Sequence, residues 1–312
     1  MDPDPSGGSK RAEIRLREEA RRSGIRKGRA VCALTSPRVD IFPVHVDAGA
    51  PGDPVAAVVE QARRHLGNRI SESVLDYALL PEEVNRQGEK ATAALVFAAD
   101  RALVNRLLER LESIGVEVDR LLTPACVLAP RVVASEPGTR NILIATAEQS
   151  TSVSVVQNGH VLLERILSWG VRDLIARLRS ELELDEAQCR RLLVGGPVEA
   201  EGDEDPDDDT PDPMTAALQQ VLDPDFQGMA REAGGCLGYC NSFFRSAGTA
   251  AAVLIGPLAN CDPLRTLLER RLGLPVLDAR DGLDIPGLEE GEDAGPFATA
   301  ACSALWPRGE GP

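Results

Sequence analysis

Residues 142–170, ILIATAEQSTSVSVVQNGHVLLERILSWG, decide the fold. The apolar residues fall in three short runs rich in valine, isoleucine and leucine, which suits pleated strands. The runs predict strands over 141–145, 152–157 and 161–167. Asn158-Gly159 separates the last two. Both residues tolerate positive φ, as a two-residue hairpin turn requires, so the runs should fold back on one another as an antiparallel meander.

Helical spacing takes over downstream. Val171, Leu174, Ile175 and Leu178 recur at three- and four-residue steps and predict a helix over 171–182. Asp185 and Gln188 form a capping pair for a shorter helix that stops at Gly195-Gly196-Pro197. Residues 229–247 read as a further helix. Its glycines 234, 235 and 238 either admit a close neighbour or are merely tolerated. Residues 250–255 are an unbroken apolar run, as in a central strand buried on both faces. A helix over 262–272, a short strand over 275–277 and a last helix over 296–305 follow.

Upstream, 10–22 is a charged, mostly solvated helix, preceded by a polar tail, 1–9, expected to be disordered. Strands are predicted over 30–34 and 39–44, a helix over 54–66, and strands over 73–80 and 92–98, with PEEVNRQGEK as a loop. The clearest amphipathic helix is 100–114, capped by Asp100 and stopped at Gly115. Helices and strands alternate throughout, which defines an α/β class. The 312 residues, 43% of them hydrophobic, suffice for two modest domains.

The formal net charge of −15 argues against nucleic acid or an anionic membrane surface as direct partner, since both are polyanions. No apolar run reaches the length of a membrane span, and the first ten residues lack the apolar core of a signal peptide, so a cytoplasmic protein is expected. The seven cysteines are scattered and odd in number, which suits small buried hydrophobes better than a disulfide frame. Cys236 and Cys240 stand at helical spacing without two further ligands, and the three histidines join no metal spacing, so no metal site is expected. Residues 199–213 carry nine carboxylates and no aliphatic side chain larger than alanine. They read as a flexible acidic insertion, and they lack the register of a calcium loop.

The order of elements resembles the PilM family of type IV pilus assembly proteins, relatives of FtsA within the actin-like ATPases. VLDYALL (74–80), LVFAADRALVNRLLERLESIGVEVDRL (95–121), the 142–170 stretch and VLIGPLANCDPLRTLLERRLGLPV (253–276) carry the likeness. It implies an actin-like, ribonuclease H-like two-domain α/β fold with a small FtsA-type subdomain and an incomplete first domain. The implied division is 10–115 for the helix and the small subdomain, 116–140 with 296–308 for the remnant of the first domain, and 141–295 for the second.

The departures from the family pattern bear on chemistry. The first phosphate loop, Asp-x-Gly in the family, would precede residue 10 and has no counterpart. At the second loop the family's Asp-Ile-Gly is Ala145-Thr146-Ala147. Ala145 stands where a carboxylate would hold metal and water, and Ala147 where glycine would let backbone N–H groups approach phosphate. In the adenosine loop only Gly256 of a glycine run remains, followed by Pro257, which has no N–H, and Leu258. Thr151 and Ser152 could hydrogen-bond a phosphate, or be plain polar residues on a strand. Phosphoryl transfer needs backbone donors, a metal and positioned carboxylates. The resemblance therefore implies a scaffold without hydrolysis and without cofactor.

The implied partner is the cytoplasmic tail of a PilN-like inner-membrane protein, alongside other pilus or secretion assembly proteins, at a groove formed by 30–44 and 116–132. An unpaired edge of the shortened first sheet would invite a partner strand or self-association. Three alternatives remain open: a nucleotide-binding PilM-type ATPase with ATP and magnesium whose N-terminus is missing, a cytoplasmic scaffold of a type II secretion system, and an unrelated acidic α/β binding domain.

Overall fold

The computed structural model describes residues 28–36, 38–47, 54–80, 83–84, 90–133, 136, 138–194, 213–244, 248–287, 295 and 298–305, with seven helical positions between 14 and 22. The expected tail and nearly all of the acidic insertion lie outside these residues.

The chain runs through β1 (Gly28–Ala33), β2 (Val39–Asp47), α1 (Pro54–Leu66), β3 (Ser73–Leu79), β4 (Glu83–Val84), β5 (Lys90–Asp100) and α2 (Arg101–Ser113). It continues through β6 (Val116–Leu122), α3 (Pro124–Leu128), β7 (Arg140–Thr146), β8 (Thr151–Gln157) and β9 (His160–Leu167). The second half comprises α4 (Val171–Leu182), α5 (Glu186–Val194), α6 (Pro213–Phe243), β10 (Thr249–Ile255), α7 (Asp262–Leu272), β11 (Val276–Leu277), α8 (Ala279–Gly282) and α9 (Ala298–Ala304).

Three sheets organise these elements. The largest has the order β11-β10-β7-β8-β9. β7, β8 and β9 form the antiparallel meander, and β10 lies parallel between β7 and β11. Asn158 and Gly159 take φ of 50° and 78° at the predicted hairpin turn. Ile142, Leu143, Ile144, Val153, Val155, Val253 and Leu254 are almost wholly buried, because both faces of this sheet are packed. α6 lies against β8, β9, α4 and α7 on one face, and α3 meets β7, β8 and β9.

The small unit is an antiparallel sheet, β2-β5-β3, with β4 beside β5 and α1 packed through Val58, Ala62 and Leu66. β4 corrects the expected loop: Glu83 and Val84 pair with Ala91 and Lys90. The edge strand β2 lies against β9, the edge of the large sheet. The third sheet is a parallel pair, β1 and β6, running from Gly28 opposite Val116 to Ala33 opposite Leu122, with a one-residue register shift between Ala30 and Val31.

Local signals act as expected at several joints. The Asp100 carboxylate accepts from the Leu103 N–H at 2.9 Å, and Gly115 follows at φ 83°. Asp185 and Gln188 exchange bonds of 2.9 and 2.8 Å between side chain and backbone. The long helix corrects the reading of 229–247: α6 begins at Pro213, the last residue of the expected acidic insertion, and ends at Phe243. Leu218, Leu222, Phe226 and Met229 already follow helical spacing there and are buried, which outweighs the exposed Pro224 inside the helix. A Cβ built on Gly234, Gly235 or Gly238 would meet nothing within 4 Å, so these glycines serve no packing within the described chain. Gly234→Ala should therefore stabilise the protein by about 0.5–1 kcal/mol in chemical unfolding, through helix propensity alone.

Candidate functional site at the β7, β8 and β10 turns

The strand register brings the predicted positions together. Ala145 of β7 lies opposite Ser152 of β8 on one side and Ile255 of β10 on the other, and Thr146 lies opposite Thr151. Ala147 and Gly256 follow at the carboxyl ends of β7 and β10, which are parallel. Ligand sites of open α/β sheets form at such ends.

The backbone donors at these turns are spent within the chain. The Ala147 N–H donates to the Ser150 carbonyl at 2.9 Å and closes the β7–β8 turn. The first amides of α4, which could otherwise face an anion, donate to the same turn: Val171 to the Ala147 carbonyl and Arg172 to the Glu148 carbonyl, both at 3.0 Å. Gly170 makes this closeness tolerable, since an added Cβ would stand 2.7 Å from the Gln149 nitrogen. The Asp173 carboxylate accepts from the Gly170 N–H at 2.9 Å, and Arg190 grips Glu148 at 2.7 and 3.3 Å.

The adenosine-loop counterpart is closed in the same way. Gly256 adopts φ 89°, and its N–H donates to the Gly295 carbonyl at 2.8 Å. The Thr146 hydroxyl donates to the Ile255 carbonyl at 2.9 Å and accepts from the Leu258 N–H at 3.2 Å. Thr146 thereby staples the ends of β7 and β10. Thr146→Val keeps the shape and loses both bonds, so urea unfolding should show a loss of about 1–3 kcal/mol.

Thr151 and Ser152 are buried in β8 with their hydroxyls engaged. Thr151 donates to the Trp169 carbonyl at 3.2 Å, and Ser152 to the Glu164 carboxyl at 2.8 Å. Ser150 alone of this group reaches across to another sheet's connection, donating to the Thr35 carbonyl between β1 and β2 at 3.0 Å.

A triphosphate needs outward-facing N–H groups, and its magnesium needs a carboxylate. The amides of Ala147, Val171, Arg172, Gly256 and Leu258 point into the chain's own carbonyl and hydroxyl oxygens. Ala145 supplies no carboxylate, and no group of three His, Cys, Asp or Glu side chains able to hold a metal lies among the described residues. Among the described residues, then, these turns hold their named amides in internal bonds and carry alanine at 145.

Sequence reasoning passed over two residues that matter here. In the sequence Thr146 is only the middle residue of Ala145-Thr146-Ala147. Glu164 was passed over inside VLLERIL, although a carboxylate in an apolar strand is itself a signal of a buried polar contact.

A meander continued by two parallel strands in one sheet, with helices on both faces and a small inserted α/β unit, is an actin-like α/β fold. The chain is similar to a solved structure of the PilM-PilN type IV pilus biogenesis complex, with 21% sequence identity over 94% of this chain and 83% of that chain and a TM-score of 0.68. The fold is thus PilM-like. Lesser likenesses are the ethanolamine utilization protein EutJ from Carboxydothermus hydrogenoformans, with 12% identity over 64% of this chain and 59% of that chain and a TM-score of 0.41. Another is the cytoplasmic domain of EpsL of the type II secretion system of Vibrio cholerae, with 14% identity over 56% of this chain and 62% of that chain and a TM-score of 0.33. No protein-family model matches the sequence, and no curated protein does.

Proposed function

We propose that this chain is a non-catalytic scaffold for assembly of a type IV pilus or a related secretion machine. It works at the cytoplasmic face of the inner membrane, where it holds the cytoplasmic tail of a PilN-like protein. The observation that carries the reading is the internal closure of the nucleotide turns, whose amides bond to the chain itself. The PilM-like fold supplies the setting. No helix among the described residues is long and apolar enough to cross a membrane, which agrees with attachment through a partner.

The region for the tail is the β1–β6 pair with α3. Parallel strands are ordinarily buried on both faces and flanked on both sides. Here Ala30, Val31, Cys32, Ala33, Val118, Leu121 and Leu122 are only half-buried. An extended segment that adds a strand to this small sheet would bury them and satisfy its edge. A second copy of the chain could bring the same strand, and the mass of the complex in solution distinguishes the two.

The test is capture of a synthetic PilN-like cytoplasmic tail by the purified chain. Capture should occur without nucleotide and be unchanged by ATP and magnesium. Val118→Arg should weaken it at least about tenfold, as expected when a charge enters an apolar contact. Capture that requires ATP, or hydrolysis of ATP by the chain, would overturn the reading.

A further inference from the structure

Glu164 lies in the middle of β9 and is 1% exposed. One carboxyl oxygen accepts from the Ser152 hydroxyl at 2.8 Å and from the Ala125 N–H at 3.3 Å. The other accepts a short bond from the Thr123 hydroxyl. Ser152 belongs to β8, in the large sheet. Thr123 and Ala125 belong to the junction of β6 and α3, which follows the two-stranded sheet. Thr123 also caps α3, accepting from the Cys126 N–H at 3.4 Å. One side chain therefore gathers a hydroxyl from one sheet and a hydroxyl and an amide from the approach to the other.

We propose that Glu164 is a latch that fixes the two-stranded sheet and α3 against the large sheet, and that its grip responds to pH. Thr123, Ser152 and Ser154 nearby are buried too, at 4%, 3% and 0% exposure, so water does not replace the latch when a partner is lost. Among the described residues no cation acts on the carboxyl. The Cys126 thiol of α3 is the titratable neighbour, itself pushed up to about 12 by burial and then by Glu164, with Asp76 of β3 acting on it more weakly. β8 presents only Ser152 and Ser154. Arg165, next along β9, acts on Cys236 and Tyr239 of α6. On β2, Asp40 pairs with Arg69 and His45 stacks on Phe243. On β5, Asp100 caps α2.

Burial raises the Glu164 carboxyl above the ordinary value of 4.5, against the three bonds that favour its charge. A raised carboxyl binds its proton more tightly in the folded chain than in the unfolded one. Its contribution is complete below the unfolded value and is lost as pH rises toward the folded one. Ionisation leaves a buried charge that three hydrogen bonds and no cation among the described residues offset, so the folded chain loses stability.

The experiment compares the full chain with Glu164→Gln and Glu164→Ala. Urea midpoints are measured from pH 4.5 upward to 8, together with hydrogen exchange of the amides of 125–127 and 152–154. The midpoint of the wild type should fall relative to that of Glu164→Gln as pH rises, because glutamine does not titrate. Glu164→Ala should raise exchange about tenfold or more on both sides of the junction, as loss of buried acceptors predicts. If Glu164→Ala does not fold, Thr123→Val supplies the second variant and should raise exchange at 152–154, which Thr123 does not touch. A midpoint difference flat with pH, or exchange that changes on one side only, would overturn the latch.

Discussion

Gly256→Ala should cost about 2–6 kcal/mol in chemical unfolding. Two terms add. At φ 89° alanine is strained, which costs on the order of 1–3 kcal/mol. The new Cβ would stand 2.7 Å from the Thr146 hydroxyl and 2.8 Å from its carbonyl carbon, with the carbonyl oxygen closer still. Those atoms belong to the staple between β7 and β10, so overpacking adds about 1–3 kcal/mol. Gly234→Ala is the matched control: the same methyl group, an open surround and a stability change of opposite sign. Equal effects at the two positions would show that the turns are looser than described.

Gly170→Ala should cost about 2–4 kcal/mol for a different reason. Its φ of −150° suits any residue, so conformational strain plays no part. The cost is steric, because the Cβ would enter the backbone of the turn, 2.7 Å from both the Gln149 nitrogen and the Glu148 carbonyl carbon. To relieve the clash, the first turn of α4 must back away, which breaks the bonds from Val171 and Arg172. Hydrogen exchange at those two amides should rise along with the loss of stability. Destabilisation without that local signature would place the damage elsewhere.

Much of this architecture was legible in the sequence. The hairpin at Asn158-Gly159, the helix over 171–182 and the buried strand before Gly256 were readable because each rests on local chemistry: positive φ, helical spacing and an unbroken apolar run. The start of the long helix was obscured by Pro224 and by the acidic residues before Pro213, and only the burial of Leu218 and Leu222 by the rest of the molecule reveals it. The departures at Ala145, Ala147 and Pro257 were also readable, because each stands at a fixed place in the pattern the sequence resembles. What the turns do with their amides was not. That the Leu258 N–H finds the Thr146 hydroxyl, 112 residues away in sequence, is a product of the strand order alone. Glu164 was missed for the same reason, since Thr123 lies 41 residues before it.

The internal closure of the turns also constrains repair. Ala145→Asp with Ala147→Gly would restore the family's residues in the second loop, yet leave the Gly256, Leu258, Val171 and Arg172 amides bonded as before. The most direct measurement is a calorimetric titration of the purified chain with ATP and magnesium, run beside this double variant. Neither protein should give saturable heat at ATP up to about 1 mM, where any binding would be weaker than roughly 4 kcal/mol. Saturable binding of ATP by the unaltered chain in the micromolar range would contradict that closure.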